Sequence, residues 1–138
     1  MRDPRWLGLR HVALRVRDLE AARGFYVDFL GMEVEWAPDA DSLYLTCGRD
    51  NLALHRGEPR GSGALDHIGF VLADPEMVEE WEMRARERGV EVVQATKTHR
   101  DGARSFYCRD PEGVLVQVLY HPPLAPLAGR EGGEDREG

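Results

Sequence analysis

The chain has 138 residues and a mass of 15.6 kDa, room for one ordinary domain with a single core and marginal for two independent ones. Its residues are 42% apolar and 31% charged, as in folded proteins, and 18 basic against 25 acidic side chains leave a net charge of −7, so no basic surface invites a nucleic acid. No apolar run approaches the roughly 20 residues of a membrane-spanning helix, Met1 to Trp6 hold no run for a signal peptide, and Cys47 and Cys108 stand apart without metal-cluster or disulfide spacing, which makes a reduced, cytoplasmic setting the expectation.

In chain order, Leu9 to Val16 alternates like a strand and ends at Asp18, which can cap a helix. Leu19, Ala22, Tyr26, Phe29 and Leu30 then recur on one helical face until Gly31 stops it. Strands are expected over Met32 to Trp36, Ser42 to Cys47 and Asn51 to His55, the last two joined by Gly48-Arg49-Asp50. A Gly- and Pro-bearing linker, Arg56 to Gly63, follows, and the pattern then repeats. Leu65 to Leu72 alternates and ends at Asp74; Asp74-Pro75 opens a helix whose buried stripe is Val78, Trp81 and Ala85, and Gly89 ends it. Strands Val90 to Ala95, Arg104 to Cys108 and Val114 to Tyr120 complete the unit, the last two joined by Asp110-Pro111-Glu112-Gly113.

The order is β-α-β-β-β twice, with His11 and His67 lying 56 residues apart and Gly31 and Gly89 lying 58 apart. The fold class expected is α+β: two tandem modules, 8–56 and 64–121, forming one curved, cupped mixed sheet with helices outside and a single domain over 1–121. Each module has only about 55 residues, a size at which a separate core is marginal. Residues 122–138, rich in Gly, Pro and charge, are expected to be a disordered tail.

His11-Val12-Ala13-Leu14, Asp18-Leu19-Glu20, Phe25-Tyr26, Leu30-Gly31-Met32 and the closing Asp110-Pro111-Glu112-Gly113, set in this duplicated unit, resemble the vicinal oxygen chelate superfamily, which includes glyoxalase I, bleomycin and fosfomycin resistance proteins and extradiol dioxygenases. The resemblance covers residues 8 to 121. It implies the fold, while several chemistries share that scaffold.

Strand alternation sorts the side chains by face. His11, Ala13 and Arg15 share one face against Val12, Leu14 and Val16; His67, Gly69 and Val71 oppose Ile68, Phe70 and Leu72; Ala53 and His55 oppose Leu52 and Leu54; Leu115, Gln117 and Leu119 oppose Val114, Val116, Val118 and Tyr120. One face is aliphatic and suits packing under helices. The other mixes polar groups with Ala13, Ala53 and Gly69, which leave space for a ligand.

The resemblance implies a divalent metal held by one residue from the first and last strand of each unit. His11 and His67 match the first-strand ligands, Gln117 falls where Glu is usual, and the fourth position falls on Ala53, which cannot ligate. His55, two residues on, either replaces it or contacts substrate. Fe(II) or Mn(II) is the first expectation for the ion and Zn(II) or Ni(II) the second, because imidazole suits several of these metals. Gln117 breaks the triad of two histidines and one carboxylate that an Fe(II) oxygenase uses. Thr98-His99-Arg100-Asp101, Ser105-Phe106-Tyr107 and the Asp110 turn are similar to the extradiol stretch, which implies His99 as acid-base residue and Tyr107 as a substrate hydrogen-bond partner. Arg15 and Arg104 are candidates for meeting an anionic substrate, and the two cysteines read as packing residues.

The leading expectation is a metalloenzyme that chelates two neighbouring substrate oxygens, with dioxygenase-like ring cleavage first and a glyoxalase-like lyase second. The alternative class is a metal-free, drug-sequestering binding protein. A small-molecule substrate and a homodimer are the expected partners.

Overall fold

In the computed structural model, which describes residues 1, 3–5, 9–59, 65–100 and 102–122, the chain divides into two compact units, 1–63 and 64–138. Each is built on a four-stranded mixed sheet, which makes the protein α+β and duplicated, as the repeat predicts. The expected tail, all but its first residue, and linker residues 60–63 lie outside the described residues.

In the first unit β1 (His11–Val16) runs parallel to β4 (Asn51–Arg56). Antiparallel neighbours follow, β3 (Ser42–Thr46) beside β4 and β2 (Glu33–Asp39) at the edge, giving the order β1-β4-β3-β2. A parallel pair requires a crossover, and the helical segment supplies it. Its first turns, α1 (Leu19–Arg23), are capped by the Asp18 carboxylate, which accepts from Ala21 N at 3.0 Å. From Gly24 to Phe29 the helix widens into π turns, with Leu30 N donating to Phe25 O at 3.0 Å, five residues back. The wider turn adds Phe25 to the expected stripe and leaves Leu30 half-buried. Phe25, Tyr26 and Phe29 pack ring to ring at 4.9 and 5.4 Å over Leu14, Val16, Leu43, Leu45, Leu52 and Leu54. Each such buried side chain contributes about 1.5–3 kcal/mol of transfer free energy. Gly31, at φ 86°, then turns the chain into β2, a conformation that side chains bearing Cβ resist.

The second unit repeats the plan in the order β5-β8-β7-β6, from β5 (Ile68–Val71), β8 (Leu115–Tyr120), β7 (Arg104–Arg109) and β6 (Val92–Thr98). Its helix α2 (Met77–Glu87) buries Val78 and Ala85 as expected, and Phe106, Cys108, Val116 and Val118 form the sheet side of the core. Trp81 is only half-buried, with the Arg84 guanidinium 4.7 Å from its ring centre, so it shields the helix margin rather than filling the core. Glu82 ties α2 to β6 by accepting from Thr96 N and Oγ1 at 2.7 and 2.6 Å. Burial pushes its carboxyl up, but the Thr96 hydrogen bonds and Arg86 outweigh that and hold it below the ordinary range.

The turn Asp110-Pro111-Glu112-Gly113 has a structural role. Asp110 is buried and accepts from Glu112 N at 2.9 Å and Val114 N at 2.8 Å, while Gly113 takes φ 92°. Among the described residues no helix is long and apolar enough to cross a membrane.

Candidate functional site

On the polar face of the first sheet, register gathers the side chains into three rows across the strands. One row holds His11 opposite Asn51; the middle row runs Ala13, Ala53, Tyr44 and Trp36; the third runs Arg15, His55 and Ser42. In the first row His11 Nδ1 lies 2.8 Å from Asn51 Oδ1, and Asn51 Nδ2 donates to Glu35 Oε1 at 2.6 Å. A register shift in β2 between Val34 and Trp36 accompanies the turn of Glu35 toward Asn51. In the middle row Trp36, 59% exposed, stacks on Tyr44 with ring centres 5.2 Å apart and planes 26° apart. Ala53 is buried and Ala13 open. In the third row the Ser42 hydroxyl and His55 Nδ1 are 3.2 Å apart, and the Tyr44 and His55 rings meet edge to face at 5.7 Å.

The second unit assembles its own set. Gly69, Gln117 and Tyr107 are consecutive in register across β5, β8 and β7. The His67 ring meets Tyr107 edge to face at 5.4 Å, and its Nδ1 lies 2.7 Å from Asp66 Oδ2. Gln117 Oε1 passes 3.8 Å from where a Cβ at Gly69 would stand, and Leu119 Cδ2 would have to give by a few tenths of an ångström from 3.2 Å to admit one, so the small residue here keeps the face open. His99, just past β6, sits with Nε2 3.2 Å from the buried Ser105 hydroxyl, one row along from Tyr107. Its predicted neighbour Asp101 lies outside the described residues. A depression of about 390 Å³ lined by Leu65, Asp66, Arg109, Glu112 and Leu115 opens beside Asp66.

Arg104 faces α2, where it pairs with Glu79 at 3.0 Å and bonds the Thr98 hydroxyl. It shares the parity of buried Phe106, opposite Tyr107, and fastens the helix to the sheet. Cys47 is exposed in the β3–β4 turn rather than packed, its amide donating to Asp50 Oδ1 at 2.6 Å. Partial desolvation of its sulfur and the neighbouring Asp50 still push its thiol up. Cys108 is fully buried as expected, and burial together with Asp110 pushes its thiol up to about 12. Neither cysteine supplies a thiolate near neutral pH.

Sequence reasoning missed Asp66, Asn51 and Glu35, the groups that hold the two imidazoles, and the Trp36 and Tyr44 wall. Adjacency of Asp66 to His67 was a readable signal; Asn51 reaches His11 only through the parallel pairing of β1 with β4.

The family model for the glyoxalase/bleomycin resistance protein/dioxygenase superfamily matches residues 8–118, and the chain belongs to that superfamily. An uncharacterized protein of Pseudomonas aeruginosa is 32% identical over 130 residues, covering 86% of this chain and 91% of the relative. A lactoylglutathione lyase from Agrobacterium tumefaciens superposes with TM-score 0.70 at 27% identity, over 83% of this chain and 93% of that one. TioX from Micromonospora shares the fold, with TM-score 0.70 at 23% identity over 83% of this chain and 98% of that one.

The superfamily typically binds a divalent metal, and the register tests whether these residues fit one. Ala13 pairs with Ala53 as Gly69 pairs with Gln117, so the two carboxylate positions are equivalent in the repeat and hold an alanine and an amide. Among the described residues no three His, Cys, Asp or Glu side chains converge as a ligand set. The donors at the expected positions are two imidazoles and one amide, all neutral, and they do not fit an ion that a carboxylate must anchor.

Proposed function

We propose that this protein binds a planar aromatic small molecule on the polar face of its first sheet and that a carboxylate-anchored metal is not part of its action. The observation that carries this reading is the Trp36–Tyr44 stack, more than half of the indole open to solvent beside the small side chain of Ala13. Among the described residues only Tyr44 stacks on the Trp36 ring, so its outer side is an aromatic wall, and aromatic faces contribute about 0.5–1.5 kcal/mol beyond area when a ring packs on them. Hydrogen-bonding groups in the rows on either side, His11 and His55, would orient the ring.

The dioxygenase-like reading draws on a different observation. His67, Tyr107 and Gln117 share one face, His99 hangs beside them from Ser105, and both His11 and His67 have Nδ1 engaged, which leaves Nε2 for a metal. A lyase activity like that named for the Agrobacterium relative would need the same ion. Both depend on a negative charge that Ala53 and Gln117 do not supply, which places them behind the binding reading.

Elemental analysis of purified protein and calorimetric titration with neutral planar aromatics such as coumarin and 1-naphthol separate these readings. The binding reading expects sub-millimolar dissociation constants, weakened about three- to tenfold by Trp36→Ala, and no stoichiometric Fe, Mn, Ni or Zn. A full complement of metal with no aromatic binding would overturn it. We further propose that one domain spans residues 1–121, that the chain pairs as a homodimer through the edge strands β2 and β6, which carry the exposed Val34 and Val93, and that it works in the cytoplasm, where its two free cysteines stay reduced.

A further inference from the structure

We infer that the aromatic ligand of the first sheet is an acid with a defined polarity: a ring hydroxyl directed to His11 and a carboxylate, on a short arm, directed to Arg15. This rests on the binding reading above and adds the chemical class of the ligand.

The His11 end follows from counting protons. The Glu35 carboxylate only accepts, so the atom of Asn51 that meets it is the amide NH₂. Asn51 Oδ1 is then the atom facing His11, and as an acceptor it requires the hydrogen of the neutral ring on Nδ1. His11 Nε2 is left with a bare lone pair. A ligand meeting it must bring a donor, and a phenolic hydroxyl is the donor an aromatic ring carries in its own plane.

The opposite end is set by charge. Arg17 and Arg56, which flank Arg15 in sequence and across the sheet, are paired with Glu58 at 2.8 Å and Asp41 at 3.0 Å. Among the described residues no carboxylate pairs with Arg15, although acidic residues outnumber basic ones in the chain. Its row also holds His55 with the Ser42 hydroxyl, so a carboxylate there meets a guanidinium and polar neighbours.

Length selects among aromatic acids. His11 and Arg15 stand four residues apart on one strand, about 13 Å of backbone. The Arg15 stem leans away from Ala13 over Gly57, where a Cβ would meet its Nη1 at 3.0 Å and its Cγ and Cδ at 3.3 Å. A carboxylate fixed directly on the ring falls short of that guanidinium. A para arm of two carbons before the carboxylate, as in a hydroxycinnamate, bridges the rows while the ring lies against Tyr44.

The test is calorimetry on the full chain at pH 7.5 with 4-hydroxycinnamate, its uncharged amide, cinnamate and 4-hydroxybenzoate. Expected is binding of 4-hydroxycinnamate about tenfold tighter than its amide and several-fold tighter than cinnamate or 4-hydroxybenzoate. Arg15→Gln should abolish the preference for acid over amide, and Arg15→Lys should restore part of it. Asn51→Leu should abolish the preference for 4-hydroxycinnamate over cinnamate, and the ¹⁵N shifts of His11 should report Nδ1–H in wild type and a tautomer mixture in Asn51→Leu. Equal wild-type affinity for acid and amide overturns this inference and leaves the binding reading standing. Absence of binding by every aromatic, neutral probes included, overturns both.

Discussion

Replacing Asp110 by Ala tests whether the most family-like turn in the chain is there for folding. The Asp110 carboxylate is 4% exposed and closes the β7–β8 connection by accepting from the amides of Glu112 and Val114 at 2.9 and 2.8 Å. Truncation strands two amide donors in a part-buried turn. A fully buried orphan donor costs about 1–3 kcal/mol, and water reaching the turn from one side recovers a share, so the expected loss is about 2–3 kcal/mol. That is a large fraction of the 5–15 kcal/mol typical of a domain, and with a urea slope of about 1–3 kcal/mol per molar it moves the midpoint down by about 0.7–3 M. Asp110→Asn keeps an acceptor in place and should recover most of the loss. Urea titration followed by far-ultraviolet circular dichroism reads both variants. A midpoint for Asp110→Ala within error of wild type would refute the structural assignment.

Alkaline pH should destabilise the protein through Cys108. The unfolded thiol loses its proton near 9.0 and the buried one holds it to about 12, so stability is intact below pH 9 and falls by a few kcal/mol as pH rises toward 12. Cys108→Ala should flatten that slope in urea titrations at stepped pH, and an unchanged slope would show that other groups dominate. Gln117→Glu adds the missing carboxylate on the face that carries His67; calorimetry should show Mn(II) or Zn(II) affinity about tenfold or more above wild type, and equal affinities would mean that His67 and position 117 do not serve one ion. The homodimer proposal expects light scattering at micromolar concentration to give twice 15.6 kDa, and a purely monomeric peak sinks it.

The sequence by itself determined what depends on spacing along a few residues. Alternation in His11 to Val16 and Leu115 to Tyr120 assigned each side chain to its face, Asp18 and Gly31 marked the ends of the first helical segment, and the recurrence of those signals about 56 residues on revealed the duplication. These are local consequences of backbone geometry, so one strand or helix carries them whole.

Register across strands was decided only in the tertiary structure, because hydrogen bonding couples segments far apart in sequence. The parallel pairing of β1 with β4 puts Asn51, 40 residues away, beside His11 and sets Arg15 next to His55. The pairing of β2 with β3, register shift included, brings Trp36 onto Tyr44. Arg104 lies on the helix-facing parity of its strand, yet its partner Glu79 became visible only once α2 had docked. The π turns after Arg23 likewise follow from packing: three aromatic rings within five residues reach one core together when the helix opens by one residue per turn, and the apolar spacing of Tyr26 and Phe29 alone describes an ordinary α-helix equally well.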